Sequence, residues 1–456
     1  MSKRYPGGFV TKAPVVPTTS AASGVWTLDQ AITYIQAGTW PLAPTYWIGT
    51  LASIGNDLGT SVAVDSSGNV YICGYTLISG PYRWQIAKYN AFGVIQWQRS
   101  LGGVGGIDLC FEIAVDSSSN VYVFGYSNAS GTNDFQVAKY NTSGTIQWQR
   151  RLGNGSSELG DSVAVDSSGN VYVCGRSNSS GTDDFQIAKY NTSGTIQWQR
   201  KLGGSGVDVG NSIAVDSSNN VYVCGSSNAS GSYYFQIAKY DTSGAIQWQR
   251  GLGGSGTNFG RSVAVDSSGN VYVCGYSTAS GTGDFQIAKY NTSGAIQWQL
   301  RLGSASEEGR SVAVDSFGNV YVCGNSNASG SINDLQIAKY NTSGTIQWQR
   351  RLGSGAGTST TGNSITVDSL GIVYVCGQST STEFLFAKLP GDGSLTGTYT
   401  VGGTSFTYAA SSLTDAASSL TDVSTSLTDA ATTLTDAASS LPDATTSLTS
   451  SVTTIS

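Results

Sequence analysis

The sequence predicts an all-β fold, a seven-bladed β-propeller of four-stranded blades, and three observations carry that prediction. A unit of roughly 50 residues returns seven times, the period of a propeller blade; the Asp closing its first apolar run recurs as Asp65, Asp116, Asp166, Asp216, Asp266, Asp315 and Asp368. Each unit contains four short runs of β-branched and aromatic residues separated by turn clusters. The Trp and Leu of the fourth run, as in Trp148 and Leu152, are missing from the last unit but stand ahead of the first as Trp47 and Leu51. A ring closed by pairing its two chain ends has that pattern, because closure removes the open sheet edges.

Within a unit, SVAVD and NVYVCG flank D-S-S-G-N, and FQIAKY and TIQWQRRL flank N-T-S-G. Gly and Asn supply the positive-φ positions of both turns. The ring is expected to span 45–402. Ahead of it, residues 1–24 form a Pro/Gly/Ser/Thr-rich extended arm. Residues 25–44 hold a short helix and linker, with Thr27 and Gln30 as a capping pair, Leu28, Ile32 and Ile35 on one face, and Gly38 as the stop. Behind the ring, 403–456 repeats every seven residues, with Leu413, Leu420, Leu427, Leu434, Leu441 and Leu448 in strict heptad spacing and Ala416, Val423, Ala430, Ala437 and Ala444 three residues on. That is an a/d seam, so the tail is expected either as a self-associating coiled-coil stalk or, given its Ser and Thr content and Pro442, as a disordered segment.

The net charge of −6 without a basic run gives nucleic acid no electrostatic footprint. No stretch is long and apolar enough for a membrane span, and residues 1–24 lack the apolar core of a signal peptide. Histidine is absent, which removes the commonest general base and metal ligand. Six of the seven cysteines, Cys73, Cys174, Cys224, Cys274, Cys323 and Cys376, occupy one position of the repeat, where unit two has Phe124. An apolar slot explains both residue types, so these thiols are expected in the core with no metal bound. Cys110 is off register and is expected to be the accessible thiol. The recurring Asp and the recurring strand-three Lys (Lys88, Lys139 and their equivalents) are expected to serve each blade structurally, as turn cap and as strand-to-strand partner, since a catalytic group is needed once.

Variation is confined to the loops between strands two and three and between blades, where binding surfaces are built on rigid scaffolds. Candidate ligand-binding residues are Tyr82, Arg83 and Trp84 in unit one and Tyr233 and Tyr234 in unit four, as exposed aromatics for stacking on sugar or protein; packing at the start of strand three is the alternative for them. No catalytic residue, metal site or cofactor is assigned.

The units resemble the seven-bladed propeller repeat family written around A-V-D-x-x-G-N-V-Y-V-x-G, and K-Y-N-T-S-G-x-I-Q-W is similar to the tryptophan-docking motif of quinoprotein-like propellers, in which the ring packs between neighbouring blades. RYPGG, GVWTLDQAITYIQAGTWP and GSLTGTYTVGGTSFTYAASSLTDAASSLTD resemble terminal segments of virion structural proteins of tailed bacteriophages, marine ones especially. The resemblance implies a non-enzymatic particle protein, made in the host cytoplasm and carried on the virion as a tail, fibre or surface-decoration subunit. Its N-terminal arm and heptads would contact other virion proteins, the tail would make a homo-oligomer, and the propeller loops would bind a host surface glycan or protein. The alternative is a propeller enzyme, a glycan lyase or hydrolase working at the central channel. A unique carboxylate pair facing that channel would favour it; the best offer in the sequence, Glu307/Glu308 in an inter-blade loop, is adjacent in sequence, so the two are not expected to face each other.

Overall fold

Alternating apolar residues and seven repeats of two tight turns leave the chain one economical arrangement, and the computed structural model has it: seven antiparallel sheets arranged as a ring. The structure describes residues 45–455 apart from 54, 78–80, 104, 230, 304–305, 329–332, 355–357, 380–382, 412, 426, 433, 440 and 447. The arm over 1–24 and the helix over 25–44 lie outside the described residues.

Blade 3 is representative, with strands Glu158–Val165, Val171–Ser177, Asp184–Tyr190 and Ile196–Gly203 running from the channel outward. Its first turn is held by Asp166, whose Oδ1 accepts from the Ser168 and Asn170 amides and whose Oδ2 accepts from Asn170 Nδ2 and Tyr172 Oη. The turn-capping role expected for this Asp therefore holds. The Lys of strand three lies over the strand-two Tyr ring, Lys189 at 5.1 Å from the Tyr172 centroid, a cation–π contact in place of an ion pair.

Neighbouring blades are joined by the fourth-strand tryptophans. Trp148 packs on Tyr122 of its own blade at 6.3 Å and donates Nε1–H to the Thr192 carbonyl of the next, 3.2 Å away. The Gly of the second turn faces that ring: Gly194 has φ 76° and a Cβ there would sit 2.9 Å from Trp148. The ring closes as expected. Strand Tyr46–Ala52 pairs with Glu383–Leu389, with Gly49 opposite Phe386, and Trp47 is fully buried against Phe386 and Tyr89.

The heptads correct the sequence reading. They form neither a coiled coil nor an unstructured tail. The six heptads supply short strands to the outer edges of six blades: Asp415–Ala417 on blade 5, Thr421–Ser424 on blade 4, Thr428–Ala431 on blade 3, Thr435–Ala438 on blade 2, Asp443–Thr445 on blade 1 and Thr449–Ile455 on blade 7; ahead of them Thr404–Ala410 pairs with the fourth strand of blade 6 and carries Gly397–Val401 outside it. The tail thus runs around the ring against the order of the blades, with one heptad on each blade except blade 6, and belongs to the propeller instead of beginning a separate stalk at 403. Leu413, Leu420, Leu427 and Leu434 drop between blades and are at most 8% exposed. A fourth-strand Gln holds each such Leu, Leu420 through its carbonyl alone (Gln299 Nε2, 2.8 Å) and the other three through both backbone groups: Gln249 Nε2 donates to the Leu427 carbonyl (2.9 Å) and Gln249 Oε1 accepts from its amide (3.1 Å). Gln349 holds Leu413 and Gln199 holds Leu434 in the same way. A Ser/Thr-rich segment gains little as a lone helix, whereas an open sheet edge offers it a full set of backbone partners.

All seven cysteines are buried and unpaired. For the six in register this matches the expectation, but Cys110 is fully buried too and is no accessible thiol. It lies on the inner strand Asp108–Val115, beside Cys73 of blade 1, and burial pushes its thiol well above the ordinary range. Among the described residues no helix is long and apolar enough to cross a membrane.

Candidate functional site at the channel mouth

Strand register decides which ends of the blades share a face. The inner strand starts opposite the end of strand two (Glu158 opposite Ser177), and its last residue pairs beside the Asp166 turn (Val165 opposite Val171). Both sets of variable loops therefore lie at one end of the ring. On that side every inner strand carries a β-bulge, between Gly160 and Ser162 in blade 3 and at the equivalent place in the other six. A bulge re-aims the extra residue. Here those residues are Thr60, Phe111, Asp161, Asn211, Arg261, Arg310 and Asn363, and together they line a cavity of about 290 Å³ at the channel mouth with Leu58 and Glu308.

Below the bulges the next residue is Ser in six blades, and the Ser oxygens tie the ring together: Ser162 Oγ accepts from the Ile213 amide at 3.0 Å and Ser212 Oγ from the Val263 amide at 3.1 Å. Blade 2 has Glu112 instead, which accepts from the Ser162 hydroxyl and, at 2.9 Å, from the Val163 amide. Burial pushes the Glu112 carboxyl up to about 7 against those hydrogen bonds, with the charge of Asp161 adding to the shift. Asp161 itself is raised to about 7 by burial, opposed by Arg176 and Arg261.

The mouth is chemically two-sided. On blades 5 and 6, Glu308 is shared by two guanidiniums, Arg261 at 3.1 Å and Arg310 at 2.9 Å, while Arg310 also donates to Asn363 Oδ1 at 2.8 Å. One carboxylate against two guanidiniums leaves a positive charge uncompensated within this trio. Arg261 also lies over the Phe259 and Tyr276 rings, at 5.8 and 5.7 Å. On blades 1 and 2 the lining is aromatic, with Phe111 stacked on Tyr126 at 5.8 Å and tilted against Tyr75 at 6.2 Å.

Of the residues singled out from sequence, Tyr82 meets Tyr75 edge-on at 5.5 Å and so extends the aromatic side of the mouth. Tyr233 packs on Phe259 at 4.7 Å and extends the opposite side. Tyr234 lines a separate cleft at the rim of blade 4. Arg83 is turned to the Gly102 carbonyl, 3.4 Å away. Trp84 is not an exposed aromatic: it is fully buried among Tyr71, Ile86 and Leu101. Glu307 and Glu308 are no facing pair, since adjacent strand residues point to opposite sides; Glu307 is buried and accepts from Ser326 Oγ at 3.0 Å, and Glu308 alone reaches the mouth. Asp161, Asn211, Arg261, Arg310 and Glu112 were not singled out from sequence. For the first four the signal was one column of the repeat, the residue before the Ser of SVAVD, which varies in charge and size; for Glu112 it was the single replacement of that Ser.

A family model described as a beta-propeller repeat matches seven segments, 47–81, 96–131, 147–181, 197–231, 247–281, 297–330 and 347–384, together more than half of the chain. A beta-propeller domain of unknown function matches 267–296. Comparison with curated protein sequences finds no match. Among solved structures, the chain is similar to a virginiamycin B lyase from Staphylococcus aureus (13% identity, TM-score 0.48, covering 75% of this chain and 99% of the lyase). It is also similar to the Chaetomium thermophilum protein Sqt1 bound to the N-terminus of ribosomal protein L10 (11%, 0.45, 74% and 98%). A third is a polysaccharide lyase, an ulvan lyase (13%, 0.46, 76% and 96%). At such identities the likeness extends to neither substrate nor reaction.

Proposed function

Because this chain belongs to the beta-propeller repeat family, a scaffold of near-identical blades on which any departure from sevenfold symmetry marks a local task, we propose that it is a binding protein that takes an acidic saccharide at the channel mouth. The observation carrying this reading is the bulge ring: in a repeat otherwise nearly constant, seven bulges aim side chains of five different types at one cavity. Guanidiniums answer a carboxylate or sulfate in fork geometry, aromatic faces stack on sugar rings, and Asn211 and Asn363 supply amides. Titration calorimetry with a panel of uronate and sulfated disaccharides tests it. Binding that is lost in Arg261→Ala and Arg310→Ala is expected, and a panel that fails to bind the wild-type protein overturns it.

The setting we propose is a phage particle, on the resemblance of the terminal segments. With the heptads engaged on the ring itself, attachment falls to residues 1–24. Finding the chain in purified particles, and its loss from them when 1–24 are deleted, is the matching test.

Glu112 and Asp161 favour a second reading. Two channel-wall carboxyls on adjacent blades, each titrating near neutrality, are suited to donate and accept protons, as a lyase or hydrolase requires. Appearance of new polysaccharide chain ends with wild-type protein, abolished in Asp161→Asn, would select it.

A further inference from the structure

The rim of blade 4 breaks the repeat three times at one place. In blades 2, 3, 5 and 6 the first residue of strand three is an Asp paired with a basic residue on strand four: Asp134 with Arg151, Asp184 with Lys201, Asp284 with Arg301 and Asp334 with Arg351, at 2.8–3.2 Å. In blade 4 the same register positions hold Tyr234 and Gly251. The tail strand residue opposite Gly251 is Val423, where four of the other five heptads have Ala and the last has Ser, and it is half exposed. Losing both partners of the ion pair opens a cleft of about 580 Å³, with Tyr234 lying over Gly251 so closely that a Cβ there would sit 3.1 Å from its ring. Serine and threonine hydroxyls, Ser205, Ser424 and Thr428 among them, edge the cleft.

A series of ring contacts links this cleft to the channel mouth. Tyr233, next to Tyr234 and also lining the cleft, packs on Phe259 at 4.7 Å; Phe259 packs on Tyr276 at 5.3 Å; Arg261 of the mouth covers both rings. The loop bearing Tyr233 is fastened to the inner strand of blade 5, since its carbonyl accepts from Asn258 N at 3.2 Å and Nδ2 at 3.0 Å. Across the mouth the Tyr82, Tyr75, Phe111 and Tyr126 series leads toward the rim of blade 1. A run of aromatic rings along one face, with the charged groups in the middle and hydroxyls at the end, suits a polymer whose repeating unit is a ring.

We propose that the protein binds an extended acidic polysaccharide chain along this face, with the channel mouth holding a charged sugar and the Tyr233/Tyr234 cleft holding a further ring of the same chain. This rests on the acidic-saccharide reading of the mouth and adds a chain-length requirement to it. The rim is aromatic and uncharged, so it takes sugar faces, while the Arg261 and Arg310 guanidiniums set the charge.

The test uses oligouronates of two, four and eight units against the full chain. The eight-unit probe is expected to bind at least tenfold more tightly than the two-unit probe. The double variant Tyr234→Asp/Gly251→Arg restores the pair that blades 2, 5 and 6 carry, and should bring the eight-unit affinity down to the two-unit level while leaving two-unit binding unchanged. Tyr234→Ala, which adds no bulk, should give a smaller loss in the same direction. Equal affinities for all three lengths, or an unchanged length dependence in both variants, overturn the extended track and leave the mouth site standing. Failure of the two-unit probe, with the eight-unit probe still bound and still sensitive to Tyr234, overturns the mouth reading and keeps the track.

Discussion

Changing Gln249 to Leu tests the belt formed by the tail at its most defined joint. The Gln249 amide makes two hydrogen bonds with the Leu427 backbone, at 2.9 and 3.1 Å, and Leu427 is 8% exposed. Leucine keeps the side chain near its original volume and deletes both bonds. At a net value of about 1 kcal/mol each, the tail should be loosened locally by about 2 kcal/mol, which is roughly a thirtyfold increase in the opening constant. Amide hydrogen exchange reads this directly: protection around 421–431 should fall by about that factor, while the inner strand Asp208–Val215 of the same blade keeps its rate as the internal control. Unchanged protection over 421–431 would refute the clamp. A helical circular dichroism signal that disappears when the chain is cut after Ala410 would refute the belt as a whole, because a strand wrapped on sheet edges has no such signal to lose. The same cut should leave fourth strands with open edges and so produce self-association, in contrast to the monomeric ring expected if the tail were a separate stalk.

Asp161→Asn should raise the melting temperature at pH 8 and leave it unchanged near pH 4: the folded carboxyl titrates near 7, above its unfolded value, so the native state binds the extra proton and wild-type stability falls as pH rises between the two. A wild-type protein that gains stability from Asp161 over that range would contradict the burial argument. Thiol labelling of native protein should modify none of the seven cysteines rapidly, Cys110 included, and all seven in denaturant; fast native reaction of Cys110 would place it at the surface. Gly194→Ala should cost more than about 1 kcal/mol in urea unfolding, because it adds a Cβ at positive φ against the Trp148 ring; a neutral result would mean the inter-blade tryptophan contact is looser than its geometry.

What the sequence determined by itself was everything whose cause lies within one repeat or in its count. Turn clusters set the hairpins, since Asp166 caps a turn only four residues long. The displaced Trp47 and Leu51 announced that the ends pair, since a blade lacking its fourth strand needs one from elsewhere. Tertiary structure decided the heptads. Seven-residue spacing of Leu fits a helical seam equally well as a strand followed by one step to the next blade, and the choice rests on Gln149, Gln199, Gln249 and their equivalents, up to about 350 positions away in sequence. Likewise, variation before the Ser of SVAVD is visible in the sequence, but its meaning is not. A bulge turns that column into the channel, and the ring then brings Arg261 of one unit within hydrogen-bonding distance of Glu308 of the next, which Arg310 of its own strand also holds. The cleft at Tyr234 has the same origin: a lost Asp and a lost basic residue 17 positions apart become one opening only because strands three and four lie side by side.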